Sequence, residues 1–215
     1  PLRRQRQMCI RDRSNGAVIF VAGKNASGAP VVQSGAQSTV RGDSWEQDLP
    51  GFFSVDGRTF YANPDGALQM GWACIGDSYY YFDSDYAMQT GWYWDGSSWY
   101  YLDPDGSMAT GWRAISGSWY YLDSQTGSMR TGWVNDNGMW YFTNSSGAMQ
   151  TGWILVDGCW YWAYSSGALA SSWQSIGAAR YYFDPQTFAM SKGRRDIDGN
   201  IYYLGDYGLA SGWCK

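Results

Sequence analysis

A repeat of about twenty residues runs from Gly51 to the C-terminus, and it constrains the fold more than any other feature of the chain. Each unit is built around Gly-Trp and Trp-Tyr-Tyr, as in GWYWDGSSWYYLDPDGSMAT from Gly91. A fixed period of this length indicates stacked supersecondary units, each of which buries its apolar face only against a neighbour. We number the repeats 1 to 8 by their first residues, which are Gly51, Gly71, Gly91, Gly111, Gly132, Gly152, Ser172 and Gly193; a ninth is cut off after Gly212-Trp213.

In each repeat two segments flank a turn. Five of these turns are Asp-Gly or Asn-Gly: Asp56-Gly57, Asp95-Gly96, Asn137-Gly138, Asp157-Gly158 and Asp198-Gly199. Such dipeptides tolerate positive φ and give the strongest short-range hairpin signal. The segment after the turn is aromatic and suits a pleated strand. No stretch shows a helical period, so the sequence predicts an all-β solenoid of stacked β-hairpin repeats.

The first fifty residues differ from the repeats. Residues 1–14 (PLRRQRQMCIRDRS) are basic and match nothing that follows, so we interpret them as a non-native or artefactual segment; a basic surface-binding arm is the alternative. Residues 15–50 are small, polar and rich in glycine, which predicts a linker with one irregular hairpin; a degenerate repeat and the last strand of a missing domain are the alternatives. Residues 51–215 form the repeat domain. Because the chain stops within a repeat, we expect it to be part of a longer protein.

Charge and composition count against several functions. The net charge is −4, and without residues 1–14 ten basic residues face eighteen acidic ones, which disfavours nucleic acid as a partner. The chain has no histidine, which removes Ser-His-Asp and Cys-His catalysis and His-ligated metal sites. The four cysteines lack metal-ligand spacing, and we expect the three outside residues 1–14, Cys74, Cys159 and Cys214, to be unpaired. No apolar run approaches the ~20 residues of a membrane span. The sequence predicts a non-catalytic module without metal or cofactor.

Paired carboxylates are the remaining candidates for acid–base chemistry or calcium binding. Asp103 lies near Asp105, and Asp196 lies near Asp198. All four belong to turns, where an aspartate bonds its own backbone, and no twelve-residue loop with a closing glutamate follows. We therefore expect these pairs to be structural.

The aromatic positions divide into two kinds when offsets are counted from the first residue of each repeat. Offsets nine and ten are aromatic in every complete repeat, which predicts a stacking core. Offsets one and eight both hold Trp in repeats 3 to 6, yet offset eight becomes Thr59, Arg180 or Ile201 elsewhere. A position needed only for packing would not tolerate these changes, so we interpret the Trp pairs as a ligand site; packing alone is the alternative. Facing indoles attract quaternary ammonium groups.

The pattern TGWxxxxGxWYYxxxxGxMxT resembles the cell-wall-binding repeat of choline-binding modules from Gram-positive bacteria and their phages, over about three quarters of the chain. The resemblance implies that choline of teichoic acid sits between successive hairpins, with two aromatics from one repeat and a third from the next. It also implies a secreted or cell-wall-associated protein whose partner is a choline-bearing teichoic acid or glycan polymer, and it leaves dimerisation open. A domain missing from the N-terminal side would carry any catalysis.

Carried over by position, the third ring comes from offset ten of the next repeat. The predicted groups are Trp72, Tyr79 and Tyr101; Trp92, Trp99 and Tyr121; Trp112, Trp119 and Phe142; Trp133, Trp140 and Trp162; and Trp153, Trp160 and Tyr182. The methionines near the repeat ends, Met88, Met108, Met129 and Met149, are predicted to floor the sites, with packing as the alternative. In repeat 7 Arg180 faces Trp173, and in repeat 8 Arg194 aligns with Ile201. Because arginine would repel choline, these end sites are expected to be inactive or altered.

Two other functions of the repeat domain are also consistent with the pattern. Glucan-binding repeats of glucosyltransferases and the carbohydrate-binding repeats of clostridial toxins share the YYF…G pattern, and sugars also stack on aromatic rings. A structural adhesin spacer is the third. The second Trp at offset eight, together with Gly-x-Met-x-Thr-Gly-Trp, favours choline.

Overall fold

The computed structural model describes residues 9–11, 18–24, 30–33, 51–55, 57–64, 66–205 and 210–213. These residues contain strands and turns but no helix, so no described segment offers a helix long and apolar enough to cross a membrane. Asp56 of the first predicted turn and Cys214 lie outside this set. The chain divides into two compact units, Pro1–Ala109 and Thr110–Lys215, and each is described by itself.

Strands of the first unit are β1 Cys9–Arg11, β2 Val18–Lys24, β3 Pro30–Gln33, β4 Gly51–Val55, β5 Arg58–Ala62, β6 Gly71–Ile75, β7 Ser78–Phe82, β8 Gly91–Trp94 and β9 Trp99–Leu102. Those of the second unit are β10 Gly111–Ile115, β11 Ser118–Leu122, β12 Gly132–Asp136, β13 Met139–Thr143, β14 Gly152–Val156, β15 Cys159–Ala163, β16 Ser172–Ile176, β17 Ala179–Phe183, β18 Gly193–Ile197, β19 Asn200–Leu204 and β20 Ala210–Trp213. Strands β1, β2 and β3 form one sheet within residues 1–50, and the predicted boundaries at residues 14 and 50 stay predictions.

Every repeat from 1 to 8 forms one antiparallel hairpin, which confirms the predicted all-β fold of stacked hairpins. The register places offset one opposite ten, two opposite nine and three opposite eight, as in Trp153↔Trp162, Ile154↔Tyr161 and Leu155↔Trp160. Because side chains alternate along a strand, offsets one, three, eight and ten share one face. We call this the front face, and the face with offsets two, four, seven, nine and eleven the back face.

The hairpin turns follow the predicted chemistry in repeats 5, 6 and 8. Asn137 and Gly138 have φ values of 52° and 83°, and the Asp-Gly turns of repeats 6 and 8 are alike. Two successive positive φ values characterise the type I′ turn, whose twist suits a two-residue hairpin. Repeat 3 departs from this because its strands stop at Trp94 and Trp99. There the carboxylate of Asp95 accepts hydrogen bonds from the N–H groups of Ser97 and Ser98, both at 2.8 Å, and closes a four-residue loop.

The deepest burial falls at offset eleven, on the back face. These residues, none more than 4% exposed, are Ala62, Phe82, Leu102, Leu122, Thr143, Ala163, Phe183 and Leu204. Each of the first seven also bridges to a Leu or Met near the end of its own repeat, as Leu122 does to Met129. The aromatics at offsets nine and ten, predicted to form the stacking core, are mostly half-buried instead. They pack beside the core rather than at its centre.

Backbone hydrogen bonds link successive repeats within a unit. The N–H of Met149 in repeat 5 donates to the carbonyl oxygen of Trp119 in repeat 4, with N···O 2.8 Å. Equivalent bonds run from Met88 to Thr59, Met108 to Tyr79, Leu169 to Trp140 and Met190 to Trp160. In each bond the acceptor is the residue at offset eight, so the next repeat fixes the backbone that carries the second predicted Trp.

Candidate ligand-binding site

The front face of repeat 6 shows how the two predicted Trp residues meet. The ring centroids of Trp153 and Trp160 lie 6.0 Å apart, and the ring planes make an angle of 88°. Trp92 and Trp99 in repeat 3 repeat this geometry at 6.3 Å and 88°. The two indoles therefore form the walls of a right-angled corner rather than a parallel sandwich. Both residues of repeat 3 are exposed, so that corner is accessible to solvent.

The pairs in repeats 4 and 5 occupy the same hairpin register. Trp119 opposes Ala114, and Trp140 opposes Asn135, so each stands beside a small or short polar residue on the front face. Trp119 is 48% exposed, and Trp140 is also exposed. The indole at offset eight is thus exposed, while its backbone is held by a hydrogen bond from the next repeat. An exposed ring on a fixed backbone is well placed to contact a ligand.

The first Trp of each pair, at offset one, is packed on two sides. In repeat 5 its own hairpin provides Phe142, whose centroid lies 4.7 Å from that of Trp133. The following repeat provides Tyr161, also at 4.7 Å. Within the described units the same arrangement holds for Trp72 with Tyr81 and Tyr100, Trp112 with Tyr121 and Tyr141, Trp153 with Trp162 and Tyr181, and Trp173 with Tyr182 and Tyr202.

The ring of the next repeat that packs on the first Trp is at offset nine, whereas the predicted third wall of the ligand site is at offset ten; that wall stays a prediction. Trp112 meets Tyr141 rather than Phe142, Trp133 meets Tyr161 rather than Trp162, Trp153 meets Tyr181 rather than Tyr182, and Trp72 meets Tyr100 rather than Tyr101. The physical reason is strand alternation: offset nine lies on the back face, against the preceding repeat, whereas offset ten shares the front face with its own Trp. Trp92 and its predicted third ring Tyr121 belong to different units.

Two further aromatic residues belong to these clusters and were missed in the sequence. Tyr93 stacks on Tyr81 with centroids 3.9 Å apart and lies 5.7 Å from Trp72, so it adds a ring to the site of Trp72 and Tyr79. Burial and a hydrogen bond with Tyr81 raise the pKa of Tyr93. Trp94 lies 5.4 Å from Trp99 on the front face. Tyr93 and Trp94 are at offsets two and three, and repeat 3 is the only repeat with aromatic residues at both of these offsets. That irregularity is the signal that could have identified them.

The methionines have a clear packing role. A side chain on Gly106 would collide with Met88, and Gly147 and Gly167 would likewise collide with Met129 and Met149. Each of these methionines thus covers a glycine of the following repeat. Met108 bridges to Leu102 and is half-buried. The contacts favour the packing alternative, and a role as the floor of a ligand site stays a prediction.

The electrostatics of the corners suit a cation. The walls are neutral aromatic faces, whose quadrupoles attract positive charge. Burial raises the pKa of Tyr100 and of Tyr161, so the phenols stay un-ionised at neutral pH. Of the predicted turn aspartates, Asp105 accepts hydrogen bonds from the N–H and hydroxyl of Ser107, which is a structural role. Cys74 and Cys159 are free thiols, and the described residues contain no cluster of three metal-ligating side chains.

Repeats 7 and 8 change the corner. In repeat 7 the guanidinium carbon of Arg180 lies 4.6 Å from the centroid of the Trp173 ring. In repeat 8 an exposed Arg194 stands where the first Trp would be, and Ile201 stands at offset eight. The paired-indole corner is therefore confined to the repeats where the sequence has Trp at both offsets.

Comparison with known proteins identifies the repeat. A family model described as a choline-binding repeat matches residues 89–131 and 130–172, and one described as a cell wall binding repeat matches residues 70–85. Residues 89–172 are choline-binding repeats. We call the repeat domain, residues 51–215, the module. The matched segments of this module include all four repeats with paired Trp and end at residue 172, before Trp173 and Arg180.

Solved structures agree with this assignment of the module. Choline-binding protein F of Streptococcus pneumoniae is 32% identical over 76% of this chain, with a TM-score of 0.69. CbpJ of the same organism is 26% identical over 92% of the chain, with a TM-score of 0.68. The module spans 57% of the length of the former and 85% of the latter. No curated protein matches it.

Proposed function

We propose that the module binds choline residues of teichoic acid in its aromatic corners and thereby attaches a larger, exported protein to a bacterial cell wall. The observation that carries the proposal is the right-angled Trp153–Trp160 corner, with Tyr181 of the next repeat packed at 4.9 Å from Trp153. A trimethylammonium group is compact and cannot donate hydrogen bonds, so it suits walls that are aromatic faces rather than polar groups.

The relatives support the same class of partner. The matching family models are described as choline-binding and cell wall binding repeats. Choline-binding protein F has been crystallised in the presence of a peptidoglycan analogue, a tetrasaccharide-pentapeptide. The choline-bearing polymer, the exported location and the absence of catalysis in this module are part of the proposal, as is the rest of any longer protein.

Weak individual sites are sufficient for such an anchor. A cation–π contact contributes roughly 0.5–2 kcal/mol, so three rings give about 4 kcal/mol, or a dissociation constant near 1 mM. Several corners in series on one polymer would raise the avidity by ~10²–10⁴. The repeats with two Trp would therefore hold a polymer tightly while each binds a single choline weakly.

The test is a titration of the full chain with choline, followed by Trp fluorescence, with dextran as the parallel ligand. We expect a saturable response to millimolar choline and none to dextran. A response to dextran alone would assign the module to glucan recognition. Silence from both ligands in a protein that is folded by circular dichroism would leave a structural or protein-binding spacer.

A further inference from the structure

Repeat 7 has the same first Trp and supporting rings as repeats 4 to 6, which have paired Trp. We call these three rings, Trp173, Tyr182 and Tyr202 in repeat 7, the frame of the corner. Trp173 lies 5.2 Å from Tyr182 of its own hairpin and 4.9 Å from Tyr202 of the next. The corresponding distances for Trp153 in repeat 6 are 5.3 Å to Trp162 and 4.9 Å to Tyr181. The hairpin registers are also the same. Repeat 7 thus has the first wall and its supporting rings, and only the second wall differs.

Arg180 replaces that second wall and turns toward the first. It occupies the register position of Trp160, opposite Ser175 instead of Leu155. Its guanidinium carbon lies 4.6 Å from the Trp173 centroid, inside the ~6 Å range of a cation–π contact. A guanidinium is planar and weakly hydrated, so it stacks on an indole at a small desolvation cost. The position where a ligand ammonium would meet the Trp face already holds a positive charge.

Arg180 forms no ion pair with a carboxylate in the part of the chain that the structure describes, whereas Arg58 and Arg130 each pair with an aspartate. An arginine stays protonated at every physiological pH. Since it is part of the chain, it competes at a high effective concentration with any free cation of millimolar affinity.

We propose that Arg180 is a resident cation that fills the aromatic corner of repeat 7 and closes it to ammonium ligands. This inference rests on the proposed function, since it concerns the ligand of the same type of site. It goes beyond repulsion between like charges, because it assigns Arg180 the ligand's place on the Trp173 ring. The residue at offset eight then selects between two states of one frame: Trp opens the corner and Arg closes it.

The first experiment is a reciprocal exchange at offset eight, with choline sites counted by equilibrium dialysis of the full chain. Arg180→Trp should add one site, and Trp160→Arg should remove one. The double variant should return the wild-type number. Arg194→Trp is the control, because it adds a Trp in repeat 8 beside Ile201 and should add no site. An unchanged site number in a folded Arg180→Trp protein would overturn the inference.

A second measurement does not depend on choline. In the ligand-free protein, the δ-methylene protons of Arg180 should show an upfield ring-current shift in an NMR spectrum, assigned with Arg180→Lys. A shift at the random-coil position would overturn the resident-cation inference whatever the chain binds. If no variant binds choline but the ring-current shift is present, the proposed function fails while the Arg180 stack stands.

Discussion

The hairpins of repeats 6 and 7 have the same register and differ in the side chains on their front faces. Trp153 and Trp173 have supporting rings at nearly equal distances. Yet one corner is walled by a second indole, and the other holds a guanidinium. The hairpin is therefore held by the back face, the turns and the inter-repeat bonds, and the residues of the front face can change without a change of fold.

The largest expected effect comes from breaking the buried core. Phe183 at offset eleven of repeat 7 is fully buried, so Phe183→Ala should lower the free energy of unfolding by about 3–5 kcal/mol. Trp119→Ala is the matched loss of a ring that is 48% exposed and should cost about 1 kcal/mol. Urea denaturation followed by circular dichroism measures both. Equal losses of unfolding free energy would show that the front-face ring Trp119 contributes to packing as much as the buried Phe183 does.

Truncation of Tyr120 should have an effect on stability between those of Phe183→Ala and Trp119→Ala. Its uniform aromatic offset predicts a core residue, for which truncation to alanine would cost ~3–5 kcal/mol if the ring were fully buried. The ring is half-buried, so that condition is not met and the cost of Tyr120→Ala should lie between those of the two variants above.

A smaller effect should follow from the glycines beneath the methionines. Gly147 has a φ of +84°, and a side chain there would collide with Met129 of the preceding repeat. Gly147→Ala should therefore cost roughly 1–2 kcal/mol, of which the positive φ accounts for about 1 kcal/mol and the displacement of the Met129 side chain for the rest. Gly158→Ala is the control, since its φ is +78° and the space around it is open. If the two variants are equally unstable in urea, the Met–Gly contact does not hold the repeats together.

The sequence predicted the period, the hairpins and the Trp pairs, because local signals encode them: turn dipeptides, strand residues and their spacing. It did not show the core at offset eleven, where Ala62, Phe82 and Thr143 are all fully buried. The residue there is Ala, Thr, Leu or Phe, so no uniform residue type marks the position. The sequence did not show that the ring packed on the first Trp comes from offset nine of the next repeat, because face assignment needs the register, and a shift of one residue reverses it.

The contact of Arg180 with Trp173 could not be read from the sequence at all. A long, flexible side chain at offset eight can extend into solvent or fold over the neighbouring indole, and only packing decides between them. The sequence therefore predicted repulsion of the ligand, whereas the structure shows a stacked guanidinium.

Substitutions at offset eight should affect choline binding differently in repeats 4 and 7. Trp119→Ala removes one wall and should weaken choline binding at that corner about tenfold, the equivalent of one strong cation–π contact. Arg180→Ala removes the residue at the same offset in repeat 7 and should cause no loss. Calorimetric titration with choline measures both. A loss of the same size from Arg180→Ala would mean that repeat 7 contributes an open site in the wild-type chain.

The smallest expected effect concerns acid stability, and it distinguishes how repeats 4 and 7 hold their second turns. Arg130 donates two hydrogen bonds, of 3.0 and 2.7 Å, to one carboxylate oxygen of Asp123, and this pair holds the pKa of Asp123 well below its usual range. Backbone N–H groups of Thr187 and Gln186 lower the pKa of Asp184. The pKa of an aspartate in an unfolded chain is about 3.9. Because both folded pKa values are lower, the stabilisation is present above pH ~4 and is lost as the pH falls through the folded values.

Arg130→Gln should therefore lower stability by about 0.5–1 kcal/mol at neutral pH, as is typical of a partly exposed ion pair, and flatten the loss of stability between pH 5 and 2. Arg195→Gln is the matched control in repeat 8, because Arg195 is the weakest of the influences on Asp184. Urea midpoints across this pH range should change less for Arg195→Gln than for Arg130→Gln. Equal changes would show that general positive charge, rather than the hydrogen-bonded Arg130–Asp123 pair, stabilises the second turn of repeat 4.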